Sequence, residues 1–452
     1  MSKQKIKIII GLIIGIIFII VGIAFWPKTT PNQTSQETGT NFFSNIFPFI
    51  KNVVTDTTNS LLDTLGINEE IQTEEQKSLL VKVSNFPIAG FGVFNKERFI
   101  EVPPMSPAVV STEPIEATST ITEQIQPEAE TKPIAPPTEF IPTIKYVEKA
   151  TGSIFQTYAD KIDERKLSPN TIPVVHEALF GKNGESTIMR YLQENNATIE
   201  TFIRPLPKEI LGGDLIEGFQ APGLFLPENI TDLSFSSDKS QIFYLFNTQN
   251  SAIGIITDYL GINKTQVFNS PFTEWLSQWP NERMITITTK PSYNVPGYMY
   301  AIDPAKKDLN KIIGNINGLT TLTSPNGQLV LYSNNNLALY MYEIGTGNSQ
   351  PLGIQTLAEK CVWTKASDAI YCAVPKYIPT GNYPDSWYMG EISFNDNVWF
   401  IDINSGNTTM VLDVIRAGNE EELDIIKLDT DENQDYLFFM NKKDSYLWEL
   451  DL

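Results

Sequence analysis

Two polar stretches concentrate the side chains best suited to holding a ligand. Lys290 to Tyr298 carries Tyr293, Asn294 and Tyr298, and Tyr377 to Asn395 carries Tyr377, Tyr383, Asp385, Trp387, Tyr388 and Phe394. Aromatic faces beside amides and carboxylates suit stacking on sugars or anchoring a peptide, and Tyr and Trp often dominate binding energy when loops display them. Tyr293, Asn294, Tyr298, Tyr383, Asp385, Trp387 and Tyr388 are therefore the candidate ligand-binding residues. The alternative is that these aromatics fold back and cover the body of the domain.

Catalytic chemistry is harder to assemble. The chain has one histidine, His176, and two cysteines, Cys361 and Cys372, too few for a His-rich zinc site, a four-cysteine cluster or a Cys/His dyad with local partners. It has no Gly-x-Ser-x-Gly nucleophile turn, no phosphate-binding lysine loop, no dinucleotide fingerprint and no sialidase-type Asp box. Asp429, Asp431 and Glu432 read as a solvated turn and do not complete a twelve-residue calcium loop. No catalytic residue, metal site or cofactor is expected, and the chain is read as a binder rather than an enzyme. A net charge of -20, with no basic patch beyond the first seven residues, excludes nucleic acid, whose phosphates need clustered Lys and Arg.

Ile8 to Trp26 is uncharged and almost wholly apolar. Its length, about 19 residues, suits a helix crossing a hydrocarbon core of about 30 Å. Lys3, Lys5 and Lys7 precede it, which puts the N-terminus in the cytoplasm and everything after Trp26 outside. A cleaved signal peptide is the alternative reading. Residues 1–27 thus form a cytoplasmic tip and transmembrane anchor. Residues 28–78 read as a polar stalk, interrupted between Phe42 and Leu65 by apolar residues spaced as in a short amphipathic helix. A second tract, about 101–142, is dense in Pro, Thr and Glu without periodicity, the composition of unstructured chain.

From Leu79 onward, short β-branched and aromatic runs alternate with Asn, Gly, Asp, Ser and Pro clusters, which predicts an all-β domain over 79–452. Internal repetition decides its kind. The strand-turn-strand unit Leu233 to Leu245 aligns with Leu319 to Leu331 and with Cys361 to Cys372. Equivalent anchors recur about every 41 to 65 residues, close to the period of a four-stranded propeller blade. Lys82 to Phe94 echoes Lys166 to Phe180, so the 101–142 tract is an insertion within the first blade. The count comes to seven blades, with six and eight left open. The last unit, Asp424 to Leu452, holds only three strands, and Leu79 to Ser84 is placed to supply the fourth and close the ring. In that arrangement Cys361 lies opposite Cys372 across a hairpin, allowing a disulfide; two reduced, buried cysteines are the alternative. The two aromatic loops fall between second and third strands, on the face that holds one entrance of the central channel.

The strings IKYVEKATGSIFQTY (144–158), GLTTLTSPNGQLVLYS (318–333), EKCVWTKASDAIYCAVPK (359–376), NYPDSWYMGEISFNDNVWFID (382–402) and DYLFFMNKKDSYLWEL (435–450) carry a resemblance. They look like an uncharacterised family of membrane-anchored bacterial propellers, within the broader TolB-like and WD40-like class. The Trp-Asp dipeptide of WD40 blades does not recur. The resemblance implies a bacterial cytoplasmic membrane protein with its propeller outside the cytoplasm, and implies no activity. The expected role is an interaction or ligand-binding module of the cell envelope, its partner a protein, peptide or glycan. The alternative is a carbohydrate-binding or carbohydrate-cleaving surface enzyme.

Overall fold

The computed structural model describes residues 79–452 except 101–135, 169–171, 196, 208, 210, 212–221 and 414–420. The expected anchor Ile8 to Trp26, the stalk at 28–78 and most of the 101–142 tract lie outside the described residues. Among the described residues no helix is long and apolar enough to cross a membrane. The domain from Lys77 to Leu452 forms one compact unit, and it is a seven-bladed β-propeller: seven four-stranded sheets, each strand bonded to its neighbour in chain order except at the closure.

Blade 1 starts with Ile88–Phe99 and Thr138–Glu148, so the ladder reaches back to Thr138, inside the tract read as insertion. Blades 2 to 6 begin at Val175, Ile230, Trp275, Thr320 and Cys361. Blade 7 takes Ile425–Thr430, Tyr436–Asn441 and Leu447–Asp451 from the end of the chain, and its outer strand, Leu80–Lys82, from the beginning. Leu80 stands opposite Leu450 and Lys82 opposite Trp448. The pairing continues through Val83 N–H to the Leu447 carbonyl at 2.8 Å and Asp451 N–H to the Leu79 carbonyl at 2.9 Å.

The second strand of each blade explains the apolar runs in the sequence. Ile242 to Leu245, Val330 to Ser333, Ala369 to Ala373 and Leu437 to Asn441 are buried at every position, whereas an outer strand such as Ser349–Gln355 is mostly exposed. A strand covered on both faces loses the alternating pattern; here the cover is the neighbouring blade on each side. Blade 3 gives Phe243 and Leu245 to a cluster with Trp275, Trp279 and Ile287 of blade 4. Blade 7 gives Phe438 and Met440 to a cluster with Ile88, Ile144 and Tyr146 of blade 1. First strands converge on the channel closely enough that a Cβ on Gly90 would sit 2.0 Å from the Ala178 carbonyl oxygen of blade 2.

The aligned turns share one chemistry. In blades 3, 5 and 6 the hydroxyls of Ser236, Ser324 and Thr364 accept the N–H of Gln241, Leu329 and Ala369. The same hydroxyls donate to Asp238, Asn326 and Asp368, each at 2.7 Å. Lys239, Gly327 and Ser367 take the left-handed conformation that reverses the chain. Blade 7 substitutes Asp431, whose carboxylate accepts the Tyr436 N–H at 2.8 Å, with Gln434 left-handed. Cys361 and Cys372 are paired in register across the blade 6 hairpin and joined as a disulfide.

The closing strand contributes packing as well as pairing, because Leu80 is buried with Leu437, Leu450 and Trp448. Truncating it to alanine removes that contact and leaves a void, at a typical cost of about 2–4 kcal/mol. Leu80→Ala is expected to lower the denaturant midpoint by that equivalent, while Leu79→Ala, at an exposed position, leaves it within about 0.5 kcal/mol.

Candidate functional site

Blade strands alternate in direction, so second-to-third-strand loops emerge on the face where first strands begin, opposite the tight first-hairpin turns. Both aromatic loops lie on this face. The blade 6 loop, between Ala369–Pro375 and Asp396–Asp402, folds around a single helical turn at Asp385–Tyr388. The blade 4 loop joins Met284–Thr289 to Pro296–Ile302.

An ion cluster beneath the blade 6 loop decides how it lies. The Lys360 ammonium, wholly buried, meets Asp424 at 2.6 Å and Asp396 at 2.9 Å, and donates to the Ile425 carbonyl at 2.8 Å. Trp387 turns inward and donates its indole N–H to Asp424 at 2.9 Å; Ser393 Oγ and the Phe394 N–H donate to the same carboxylate at 2.9 and 3.0 Å. Burial alone would raise the Asp424 carboxyl, but Lys360 and these donors outweigh it and hold it below the ordinary range. Burial pushes Asp396 up, with Asp424 beside it adding to the rise. Lys442 closes the arrangement over the Trp387 ring, 4.3 Å from its centre.

The candidate residues therefore separate. Trp387 and Tyr383 are buried, together with Phe394 and Leu357, and are anchors of the loop rather than displayed ligand contacts. The physical reason is the unpaired-donor cost: an indole N–H next to a buried carboxylate is worth more inside than out. Tyr298 lies in the third strand of blade 4, not in the loop, its ring over Gly314 and under Lys311. Asp385 accepts the backbone N–H of Tyr293 at 2.5 Å, joining the two loops across the intervening blade 5. Asn294 stays exposed at the tip of the blade 4 loop. Tyr377, Met389 and Val295 are 74%, 65% and 54% exposed on the same face.

Tyr388 is the member that reaches the channel. With Asp232 and Leu276 to Gln278, Thr320, Thr321 and Glu359 it lines a cavity of about 200 Å³ at the mouth. Burial pushes the Glu359 carboxyl above its ordinary range, and the Tyr388 hydroxyl beside it pulls the other way. Burial also pushes Asp232 up to about 6, against the Ser277 N–H and Oγ, which donate to it at 2.5 and 2.7 Å. Near Asp232, Glu177 pairs with Arg190 at 2.6 Å and with Lys427 of blade 7 at 3.6 Å. Sequence reasoning did not single out Glu359, Asp232 or Lys360. Their one signal is an ionisable residue in or just ahead of a first strand, Asp232 within Ile230–Phe235 and Glu359 and Lys360 directly before Cys361–Trp363.

The opposite mouth opens into a cavity of about 480 Å³ lined by Asn95, Lys239, Lys365, Asp429, Asp431 and Glu432 among others. Asp431 is committed to its turn, and Glu432 to Lys365 at 3.1 Å and Asn95 at 2.6 Å. Among the described residues no group of His, Cys, Asp or Glu is arranged to hold a metal ion.

No family model and no curated protein matches the chain. Solved structures do. A chain in the crystal structure of the tricorn protease is 15% identical with a TM-score of 0.34, over 66% of this chain and 27% of that one. A chain in the crystal structure of the mitotic checkpoint complex is 10% identical with a TM-score of 0.43, over 69% of this chain and 86% of that one. The chain thus spans about a quarter of the tricorn protease chain. Similarities of this size carry no argument about function, and the propeller assignment rests on the strand pairings themselves.

Two outcomes follow from the ion cluster and the mouth. Lys360→Ala strands two buried carboxylates and is expected to cost about 3–5 kcal/mol, read by denaturant unfolding. Asp232 titrates higher folded than unfolded, so its ionisation opposes folding as pH rises from about 4 through about 6. Asp232→Asn is therefore expected to raise the melting temperature at pH 7 relative to the parent and to give no gain at pH 4. A gain of equal size at both pH values would contradict the burial argument.

Proposed function

We propose that this chain is a binding module and not an enzyme, held at a bacterial cytoplasmic membrane by Ile8 to Trp26 and recognising an envelope partner through the face that carries the two loops. A β-propeller is compatible with a protein-interaction module, and Lys3, Lys5 and Lys7 ahead of the apolar stretch favour a domain outside the cytoplasm. The observation that carries the reading is the double clasp on the blade 6 loop, from Trp387 to Asp424 and from Asp385 to Tyr293. It fixes a loop that would otherwise lose much conformational freedom on binding, which lowers the cost of association. The same clasp leaves Tyr377, Met389 and Val295 outward, apolar surface on a rigid support.

Photo-cross-linking from position 389 in intact membranes tests this. A discrete cross-linked partner is expected, reduced on the order of tenfold or more by Tyr377→Ala, with the melting temperature unchanged. Turnover or tight binding of glycans by the purified chain, with no protein cross-linked at this face, would instead support the carbohydrate reading and overturn this one.

A further inference from the structure

The channel mouth beside Tyr388 is lined by two carboxyl groups and by no lysine or arginine. Glu359 Oε1 is buried there with no hydrogen-bond partner. A carboxylate only accepts hydrogen bonds, so a buried oxygen without a donor carries an uncompensated desolvation cost. The cations near it are already engaged. Lys360 is bound by Asp396 and Asp424, and Lys442 donates to the Trp387 carbonyl at 2.5 Å. The amide of Gln278 is likewise occupied, donating to the Thr321 carbonyl and accepting the Thr323 N–H. Among the described residues the Tyr388 hydroxyl is the donor beside this carboxyl, which leaves Oε1 open to a donor brought by a ligand.

Size limits what that donor is. A cavity of about 200 Å³ lies below the roughly 300–1,000 Å³ of sites for whole small-molecule ligands, so it suits one slender side chain or its equivalent. The ring of Tyr388 at the rim, 38% exposed, offers a flat apolar wall to an alkyl stem and a π face to a cation.

We propose that this mouth is a binding site for a primary alkylammonium group, borne by a partner's lysine or by a free alkyl diamine, with Glu359 as counter-ion and Asp232 as second acceptor. The inference rests on the loop face being the recognition face and names the group that face receives. Burial raises both carboxyls, and an arriving cation favours their ionised forms. Affinity therefore rises with pH as Asp232 ionises through about 6, and Glu359, also raised, adds to the rise as it ionises. The charged groups acting on the pair are Glu177 and Arg190 on Asp232, and Lys360 and Lys442 on Glu359.

The test is isothermal titration of the full chain in detergent with 1,5-diaminopentane, with a short lysine-containing peptide and with 1-pentanol. The parent protein is expected to bind at least one amine and not the alcohol. Glu359→Gln, which keeps shape and removes charge, is expected to weaken amine binding on the order of tenfold or more. Asp232→Asn serves as the second variant and is expected to weaken it severalfold should Glu359→Gln fail to fold. Peptide binding without diamine binding assigns the group to a partner's lysine, and the reverse assigns it to a free amine. Absence of binding by both amines, or equal affinity in the folded variants, overturns the proposal. Where the peptide binds, cross-linking at position 389 that persists unchanged in Glu359→Gln sinks this inference alone. Amine binding with no partner cross-linked sinks the interaction reading and leaves the cation site standing.

Discussion

Every blade in this ring is buried by its neighbours, and the first and last blades have a second neighbour only because the sheet series closes. Stacked sheets left open would present two apolar faces to water. The cluster that joins blade 7 to blade 1, through Phe438, Met440, Ile88 and Tyr146, forms only when the circle is complete, and the closing Leu80 completes the one between blades 6 and 7, with Tyr371, Phe439 and Trp448. The three residues Leu80–Lys82 hold that circle by backbone pairing to Leu447–Asp451. Channel, loop face and ion cluster are all consequences of this one junction between the two ends of the domain.

The charged cluster at Lys360 stands where blade 6 meets blade 7 and where the long blade 6 loop lands. Burying three ions is expensive unless every lone pair and proton is matched. Here Asp424 collects four donors from two segments, Lys360 from ahead of the blade 6 first strand and Trp387, Ser393 and Phe394 from the loop. That matching makes the loop part of the domain's polar core. Because the loop in turn holds Tyr293 through Asp385, the blade 4 loop is positioned by an interaction that originates two blades away.

Much of the ring is legible in the chain. Three hairpins with Ser or Thr followed by Asp or Asn announce their turns, and those side chains do make the bonds that fix them. The apolar second strands, the opposed positions 361 and 372, and the orphan strand near residue 80 all follow from local pattern and period. The site is less so. Loop aromatics have the same composition whether they face water or core, and what sends Trp387 inward is a carboxylate at 424 and an ammonium at 360, each remote in sequence. Tyr298 belongs to a strand because Gly314 on the neighbouring strand leaves room for its ring, a pairing no local window contains. Glu359 and Asp232 meet at one mouth only after the blades are arranged around an axis.

The first hairpin of blade 1 differs from the rest. Its leading strand has twelve residues, against three to seven for its counterparts, and it extends on the side away from the aromatic loops. Its ends are tied by the Ile100 N–H to the Pro137 carbonyl at 3.0 Å, above a continuous ladder from Phe99 and Thr138 down to Gly90 and Val147. Since the natural termini of the domain are already stitched together at blade 7, a protease cut between 101 and 135 would open the polypeptide without opening the ring. The two fragments would remain associated through the strand pairing at both seams.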